Sequence, residues 1–498
     1  MNAYTIAFAF CLFGTNARFL PEDYNKQRNV IINEEILQSL GGRLALDEDE
    51  LAANEIIMKW KREEVDKKFR DKQPEELGDR AEKSKVYQII RKMPKGAALH
   101  IHSSYMLDVN SMIALTHEHE DNLYACYPND NDLKFQFSNT VPTEPCPVNW
   151  VLLSELRNKS GNTEAFDEEL KRHFCFTAVA KKDPYESIND VWKRFEKVHK
   201  VIKSLITFRP VREKFFYKAL EKLYDDNVMY VEIRSGLNSL YELDGSVHER
   251  MYMARLYKNI TDQFIETHPD FMGFKFILTA YRAASNEKVR EAIDLARDLK
   301  REIPEIFAGF DLVGQEDLGR PLTDFLPEFA AATNEIDFYF HGGETNWFGT
   351  SSDENLVDAI LLGTKRIGHG YALLKHPGLM SIVKQRDIPI EVNVVSNSVL
   401  SLVHDVRNHP LASYLALDMP VVLSSDDPSA FRTDPLSHDF YLAFVSVASR
   451  HYDLRLLKTL ALNSIKYSAL DDKSKDKMNT VFNENWSRFI KKMITTCD

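Results

Sequence analysis

The stretch that most constrains the fold is 336–345, an apolar, strand-like run that ends in a histidine, two glycines and a glutamate, IDFYFHGGET. Apolar residues of this kind hold a strand in a core, and the glycines let the backbone turn close to a ligand. His341 and Glu344 would then lie at the open end of a buried strand, where functional side chains often occur. Taken alone, they are equally compatible with a hydrogen-bonded core histidine and a carboxylate that begins a helix.

Seven other stretches have the composition of buried strands, namely 95–102, 228–233, 274–278, 307–314, 366–370, 388–394 and 420–427. Helical patterns, such as 287–302 and 454–462, separate most of them. Eight strands that alternate with helices predict an α/β fold, a (β/α)8 barrel of the TIM type. An open sheet would typically carry a glycine fingerprint at its ligand site, and this sequence has none.

Polar side chains stand at the ends of four of these strands, and strand ends meet at one mouth of a barrel. The His-x-His spacing places His100 and His102 on the same side of a strand, where both can bind one metal ion. The other strand ends carry His341 with Glu344, His369, and Asp426 with Asp427. Imidazole and carboxylate ligands suit a divalent ion such as zinc, with one position left for water. The set therefore predicts metal-assisted hydrolysis.

The N-terminus resembles an export signal. Residues 3–13 are apolar and precede the small residues Thr15-Asn16-Ala17, which predicts a signal peptide over residues 1–17 and a secreted protein. The run lacks a preceding Lys or Arg and is too short to span a bilayer, and a buried N-terminal helix is the alternative. Glycosylation sequons begin at Asn158, Asn259 and Asn485, so we expect an extracellular glycoprotein.

Two segments stand outside the barrel pattern. Residues 18–91 are dense in charge, with apolar positions at helical spacing, and predict a helical extension that packs on a neighbour before the barrel at 92–498. At about 116–173, prolines, asparagines and two cysteines predict an insertion after the first strand. Cys126 and Cys146 enclose a polar, proline-rich part of it and are the expected disulfide. Cys175 is either a buried free thiol or a partner of Cys497.

The net charge of the chain indicates which class of molecule it binds. The chain has a formal net charge of −12 at pH 7 and no basic block. Binding to a phosphate backbone depends on such basic blocks, so we expect a small-molecule substrate and no nucleic acid.

The motifs KGAALHIH, HGGETN, RIGHGYAL and VVLSSDDP together resemble the signature set of the adenosine deaminases, which are metal-dependent amidohydrolases. The wider sequence, including GFDLVGQED, IPIEVNVVSNSVL and DVRNHP, is similar to the secreted adenosine deaminase-related growth factors. The resemblance covers nearly the whole chain after the leader. It implies extracellular, zinc-dependent deamination of adenosine and 2′-deoxyadenosine to the inosine products and ammonia. It also implies one zinc ion (Zn²⁺) per protomer, and it supports a homodimer formed through the helical extension.

Carried over to the matching positions, the resemblance implies a role for each strand-end residue. The zinc ligands would be His100, His102, His341 and Asp426. Glu344 would protonate purine N1, and His369 would orient and help to deprotonate the water at the metal, with Asp426 relaying the proton toward ammonia. Asp427 would contact N7 and Gly314 would lie by N3. Trp192 matches a position near the ribose, although a core tryptophan fits its pattern equally well.

The chain departs from the family pattern at two positions. Ser103 stands where close relatives carry an aspartate, so we expect a weaker or altered ribose contact. Gly342 stands where the family usually has an alanine, which is sterically tolerable. Neither change removes an atom needed for zinc binding or deamination.

The growth-factor members of the family suggest a second function class, a secreted signalling protein that binds a receptor or a glycan, with catalysis secondary. The complete catalytic set favours the enzyme, because a pure binding module has no need of Glu344 and His369 in these positions.

Overall fold

The computed structural model describes residues 21–71, 81–129, 132–176 and 187–496. Its α-helices are α1 (Pro21–Gln38), α2 (Glu48–Asp71), α3 (Lys85–Lys92), α4 (Val109–Glu118), α5 (Leu153–Ser160), α6 (Thr163–Lys171), α7 (Ile188–Ile206), α8 (Arg209–Asp225), α9 (Arg250–Thr267), α10 (Asn286–Glu302), α11 (Leu326–Ala330), α12 (Ser351–Leu361), α13 (Pro377–Gln385), α14 (Val394–Val399), α15 (Leu411–Ala416), α16 (Pro428–Phe431), α17 (Ser437–Leu442), α18 (Leu454–Lys466) and α19 (Asp472–Thr496). Its strands are β1 (Gly96–His102), β2 (Leu123–Asn129), β3 (Asp132–Phe137), β4 (Val151–Leu152), β5 (Val228–Ser235), β6 (Leu240–Tyr241), β7 (Val247–His248), β8 (Phe274–Tyr281), β9 (Phe307–Val313), β10 (His341–Gly342), β11 (Ile367–His369), β12 (Ile390–Val392) and β13 (Val421–Leu423).

Two four-stranded parallel sheets, ordered β1-β5-β8-β9 and β10-β11-β12-β13, form the barrel. A parallel bridge between Phe310 and Phe338 joins β9 to the residues before β10, and a bridge between Ile101 and Asp426 joins β1 to the end of β13. The ring of strands is therefore closed, and its members lie where the sequence predicts them. The (β/α)8 prediction is confirmed.

Regular strand structure covers only His341–Gly342 of the predicted run at 336–345. The preceding backbone still pairs with both neighbours, since Phe310 N–H donates to Asp337 O at 2.9 Å and Gly368 N–H donates to Phe340 O at 2.8 Å. Gly309 allows the close approach, because a Cβ there would lie 2.1 Å from Asp337 O. The run is thus extended and buried, but its pairing is irregular.

The segment after β1 contains the predicted disulfide. Strands β3, β2 and β4 form a small sheet in that order, with both strand pairs antiparallel. Cys126 and Cys146 are bonded with their Cα atoms 5.9 Å apart, which confirms the expected pair. Cys175 is a buried free thiol, whereas Cys497 lies outside the described residues.

The N-terminal helices pack against the end of the chain. Lys61 of α2 donates its Nζ to the carbonyls of Ser449 and Tyr452 at 2.9 and 2.6 Å, and Trp486 of α19 donates its indole N–H to Glu50 at 2.7 Å. The predicted leader at 1–17 lies outside the described residues. None of the helices in the described ranges has the length and apolar character needed to cross a membrane.

Candidate metal centre and active site

Metal-binding side chains from the ends of four barrel strands converge at the mouth. His100, His341, His369 and Asp426 each offer a donor atom, and these atoms lie within 4.8 Å of one another. His102 forms a second such group with Asp426 and Asp427. The Nε2 atoms of His100 and His102 lie 3.4 and 3.1 Å from Asp426 Oδ1. Asp426 thus belongs to both groups. His100 and His341 share the first group with it, and His102 shares the second.

Unpaired polar atoms mark a place where a cation fits. His100 Nε2, His369 Nε2 and Asp426 Oδ1 are buried and have no hydrogen-bond partner among the described residues. Burial of such atoms without a partner is costly, and a cation that receives their lone pairs removes the cost. Imidazole nitrogens with one carboxylate oxygen are a donor set that zinc prefers. The residues present therefore fit a zinc ion.

Two buried carboxylates orient the metal-binding histidines. Nδ1 of His100 lies 2.7 Å from Glu391 Oε2, and Nδ1 of His341 lies 2.6 Å from Asp311 Oδ2. Since an ionised carboxylate only accepts, each Nδ1 carries the proton and each Nε2 keeps its lone pair for the metal. Burial opposes ionisation of Asp311, but His341, which donates a hydrogen bond to it, and the positive charge of Arg234 hold its pKa below the usual value.

One arginine connects these two carboxylates. Arg234 is buried and donates Nε to Asp311 at 2.7 Å and Nη2 to Glu391 at 2.6 Å. Arg366 donates to the other oxygen of Glu391 at 2.5 Å. These four residues are not among those that the sequence motifs predict to be functional. The sequence feature that could have indicated Arg234, Asp311 and Glu391 is a charged residue inside an otherwise apolar strand. The three strands read VMYVEIR, GFDLV and IPIEV.

Glu344 has the surroundings of a protonated acid. Its carboxyl group is buried, Oε1 lacks a hydrogen-bond partner among the described residues, and the same atom lies 3.5 Å from His369 Nδ1. Burial, followed by the negative charges of Asp426 and Glu316, raises the pKa of Glu344 well above its usual value. Asp427 behaves similarly, because burial and the charges of Asp426 and Glu344 raise its pKa. Both carboxyl groups are thereby favoured as proton donors.

His369 and Asp426 face each other in strained backbone conformations. Each has a φ of +61°, in the left-handed region that residues with a Cβ rarely adopt, and such strain concentrates at functional sites. His369 Nε2 lies 3.7 Å from Asp426 Oδ2, and Ser396 Oγ donates to that oxygen at 2.8 Å. Burial lowers the pKa of His369 well below its usual value, which keeps the ring neutral.

The remaining predicted site residues are Gly314, Ser103 and Trp192. Gly314 has a φ of +106°, and a Cβ there would lie 2.6 Å from the Tyr281 ring. Ser103 is buried and donates its hydroxyl to Ser235 Oγ at 3.2 Å. Trp192 of α7 is half-buried and lines a cavity of about 170 Å³ with Tyr281, the last residue of β8, and with residues of the loops after β8 and β9. It therefore lies beside the turn that carries Gly314.

Known proteins resemble the chain in sequence and in fold. Residues 176–484 match the family model described as adenosine deaminase, and residues 7–90 match that described as adenosine/AMP deaminase N-terminal. The chain is 41% identical over 476 residues to the adenosine deaminase of Aedes albopictus, covering 94% of this chain and 87% of that protein. It is 36% identical over 504 residues to adenosine deaminase 2 of Homo sapiens, covering 98% and 97%. A solved amidohydrolase of Burkholderia ambifaria with bound Zn has a TM-score of 0.55 at 17% identity, covering 84% of this chain and 96% of that one, which concerns the fold alone.

Proposed function

Since the chain belongs to the adenosine deaminase family, we propose that it hydrolyses adenosine and 2′-deoxyadenosine to inosine and 2′-deoxyinosine, with release of ammonia. The observation that carries this proposal is the buried Glu344 carboxyl beside a cluster of metal-binding side chains. Attack at C6 of a purine breaks its aromaticity, so a proton must reach N1 as water adds. A buried acid next to a metal centre meets both needs.

We propose that His100, His102, His341 and Asp426 hold one zinc ion per protomer. The grouping of His100 and His341 with Asp426, the second group that joins His102 to Asp426, and the unpaired atoms of His100 and Asp426 support this set. When bound, zinc lowers the pKa of water toward neutrality and so makes hydroxide available. The buried carboxylates Glu391 and Asp311 support the proposal further, because they orient His100 and His341 for binding.

The purine would be held by groups on three strand ends. Glu344, protonated because of its burial, donates its proton to N1. Asp427 donates a hydrogen bond to N7, which can only accept, and its raised pKa supports that role. Gly314 lets the base approach the backbone by N3, since it has no side chain.

His369 and Asp426 would handle the proton of the attacking water. His369 is neutral and can receive or donate a proton, and its Nε2 faces Asp426 Oδ2 at 3.7 Å. The hydrogen bond from Ser396 fixes that oxygen of Asp426. Water loses two protons in all. One passes to the departing amino group, which leaves as ammonia, and the other restores the proton that Glu344 gave to N1; His369 Nδ1 lies 3.5 Å from Glu344 Oε1. Ser103 and Trp192 would contribute the ribose contacts.

The proposal is tested with purified, secreted protein assayed on adenosine for loss of the amino group, with and without a chelator. We expect turnover that the chelator abolishes and that added zinc restores. Protein that holds zinc yet deaminates no nucleoside would contradict the enzyme function and favour the receptor- or glycan-binding alternative.

We also propose a division of the chain into a signal peptide at 1–17, a helical extension at 18–91 and the deaminase barrel at 92–498 with its insertion at about 116–173. The Cys126–Cys146 disulfide supports export, because disulfides persist in oxidising compartments. Asn158 on α5 and Asn259 on α9 are exposed, as glycan attachment requires.

The extension would form the homodimer. Helix α1 exposes Tyr24, Val30, Ile31 and Leu37 by 57%, 51%, 61% and 50%. Tyr24 and Ile31 are seven residues apart and lie on one side of the helix, and Val30 and Leu37, also seven apart, lie on the adjacent side. A second copy of α1 would cover these apolar side chains.

A further inference from the structure

A neighbouring carboxylate holds the turn from which the Glu344 side chain projects. Glu316 follows β9 and is 3% exposed. Its Oε1 accepts the backbone N–H of Glu344 at 3.0 Å, and its Oε2 accepts the backbone N–H of Gly343 at 3.2 Å. Asn355 of α12 donates its Nδ2 to the same Oε2 at 2.7 Å. Glu316 therefore ties the turn after β10 both to α12 and to the segment after β9.

Two further hydrogen bonds hold the segment after β9 to the turn after β10 and to α12. Thr345 donates its hydroxyl to Asp317 Oδ1 at 2.5 Å, and Ser352 donates its hydroxyl to the carbonyl of Glu316 at 3.3 Å. Gly343 itself has a φ of +73°, and a Cβ there would lie 2.8 Å from Leu356 Cδ1. The turn therefore has a well-defined conformation. The hydrogen bonds to Glu316 hold the backbone of Gly343 and of Glu344, the residue that supplies the acid.

Resting on the proposed function, we propose that Glu316 is a positioning residue for deamination. It holds the Gly343–Glu344 backbone so that the Glu344 carboxyl reaches purine N1. Displacement of a reacting group by about 1 Å can cost ~10²-fold in rate, so a carboxylate that fixes the acid's backbone has a kinetic role. Three N–H donors face its two oxygens, so both oxygens of the Glu316 side chain act as acceptors.

The informative change is Glu316→Gln. The amide keeps the shape of the side chain but replaces one accepting oxygen with an NH2 group, which faces an N–H donor. We expect kcat on adenosine to fall about 10- to 100-fold with KM within about threefold, because the acid acts mainly in the transition state. Zinc content is expected to equal that of the wild type, because Glu316 is not among the proposed ligands.

A double-mutant cycle separates positioning from a general loss of structure. In a Glu344→Gln variant there is no proton donor for Glu316 to position. Adding Glu316→Gln to that variant should therefore lower kcat by less than about twofold. Glu328→Gln is the matched control. Glu328 is also a buried carboxylate, but it accepts hydrogen bonds from Asn286 and Arg290, and its replacement should leave kcat unchanged.

Should Glu316→Gln not accumulate as folded protein, Thr345→Val loosens the same turn by removing the hydroxyl that donates to Asp317, and the same background dependence is expected. Equal losses in both backgrounds, or wild-type kcat in Glu316→Gln, would overturn this inference while adenosine deamination by the wild type stands. A wild type that deaminates no nucleoside would overturn the proposed function and this inference with it.

Discussion

Replacing Asp311 with asparagine should weaken zinc binding without altering a ligand. Asp311 is fully buried, and its Oδ1 accepts the backbone N–H groups of Leu312 and His341 at 2.7 and 2.8 Å. Its Oδ2 accepts Nε of Arg234 at 2.7 Å and Nδ1 of His341 at 2.6 Å. An asparagine keeps one oxygen, and its NH2 group then faces two donors in either orientation.

The size of the effect follows from these contacts. Each donor left without an acceptor costs about 1–3 kcal/mol, so the free energy of unfolding of the zinc-free protein should fall by about 2–6 kcal/mol. Loss of a hydrogen-bond partner behind a metal ligand typically weakens metal binding about 10- to 100-fold. We therefore expect the zinc Kd to rise by that factor, which corresponds to about 1.4–2.8 kcal/mol.

Competition with a chelator of known affinity measures the zinc Kd, and denaturant unfolding of the zinc-free proteins measures stability. Asp353→Asn is the matched control, because Asp353 is also a buried carboxylate bonded to a histidine, His376 at 2.8 Å. It should lower stability and leave the zinc Kd unchanged. Folded Asp311→Asn protein with the wild-type zinc Kd would refute the reasoning.

Four further predictions test the acid, the ribose contact, export and assembly. Glu344→Gln should lower turnover by at least about 10²-fold with zinc content unchanged, as steady-state kinetics and metal analysis will show, and wild-type turnover would rule out Glu344 as the proton donor. Ser103→Asp should change KM for adenosine more than kcat, and less on a nucleoside that lacks the contacted hydroxyl; equal effects on all nucleosides would place Ser103 away from the ribose. The protein from culture medium should begin near Arg18 and contain the Cys126–Cys146 bond, and peptide mapping that finds an intact leader would contradict export. Light scattering should find a dimer for the wild type and a monomer for Ile31→Glu, which places a charge on the exposed face of α1; a monomeric wild type at micromolar concentration would disprove the dimer.

The barrel and the metal-binding cluster were accessible from sequence because each depends on local pattern. Strands covered on both faces appear as short apolar runs, and the residue after such a run must lie at the mouth. His369, at the end of β11, and Asp426, just after β13, are therefore located by their position relative to a strand. A role can be assigned to each residue only when all the motifs are considered together, because a single His-x-His or Asp-Asp sequence is common.

Other features depend on partners that are distant in sequence. The irregular pairing before β10 follows from the close approach at Gly309, which no local pattern shows. Arg234 sits between Asp311 and Glu391, which lie 77 and 157 residues further along the chain. Strand β3 is not evident from the sequence for another reason. Its burial alternates along DLKFQF, and that period of two was present in the sequence but hidden among prolines and asparagines.

Closure of the barrel between its first and last strands has a consequence for synthesis. His100 N–H donates to the hydroxyl of Ser424 at 2.9 Å across 324 residues of sequence. While the chain emerges from the ribosome, β1 therefore waits with one edge unpaired until nearly all of the barrel has been made. Open strand edges promote association between chains, and contacts this distant in sequence form slowly. A chain that terminates before β13 would accordingly be an aggregation-prone open sheet and not a smaller enzyme.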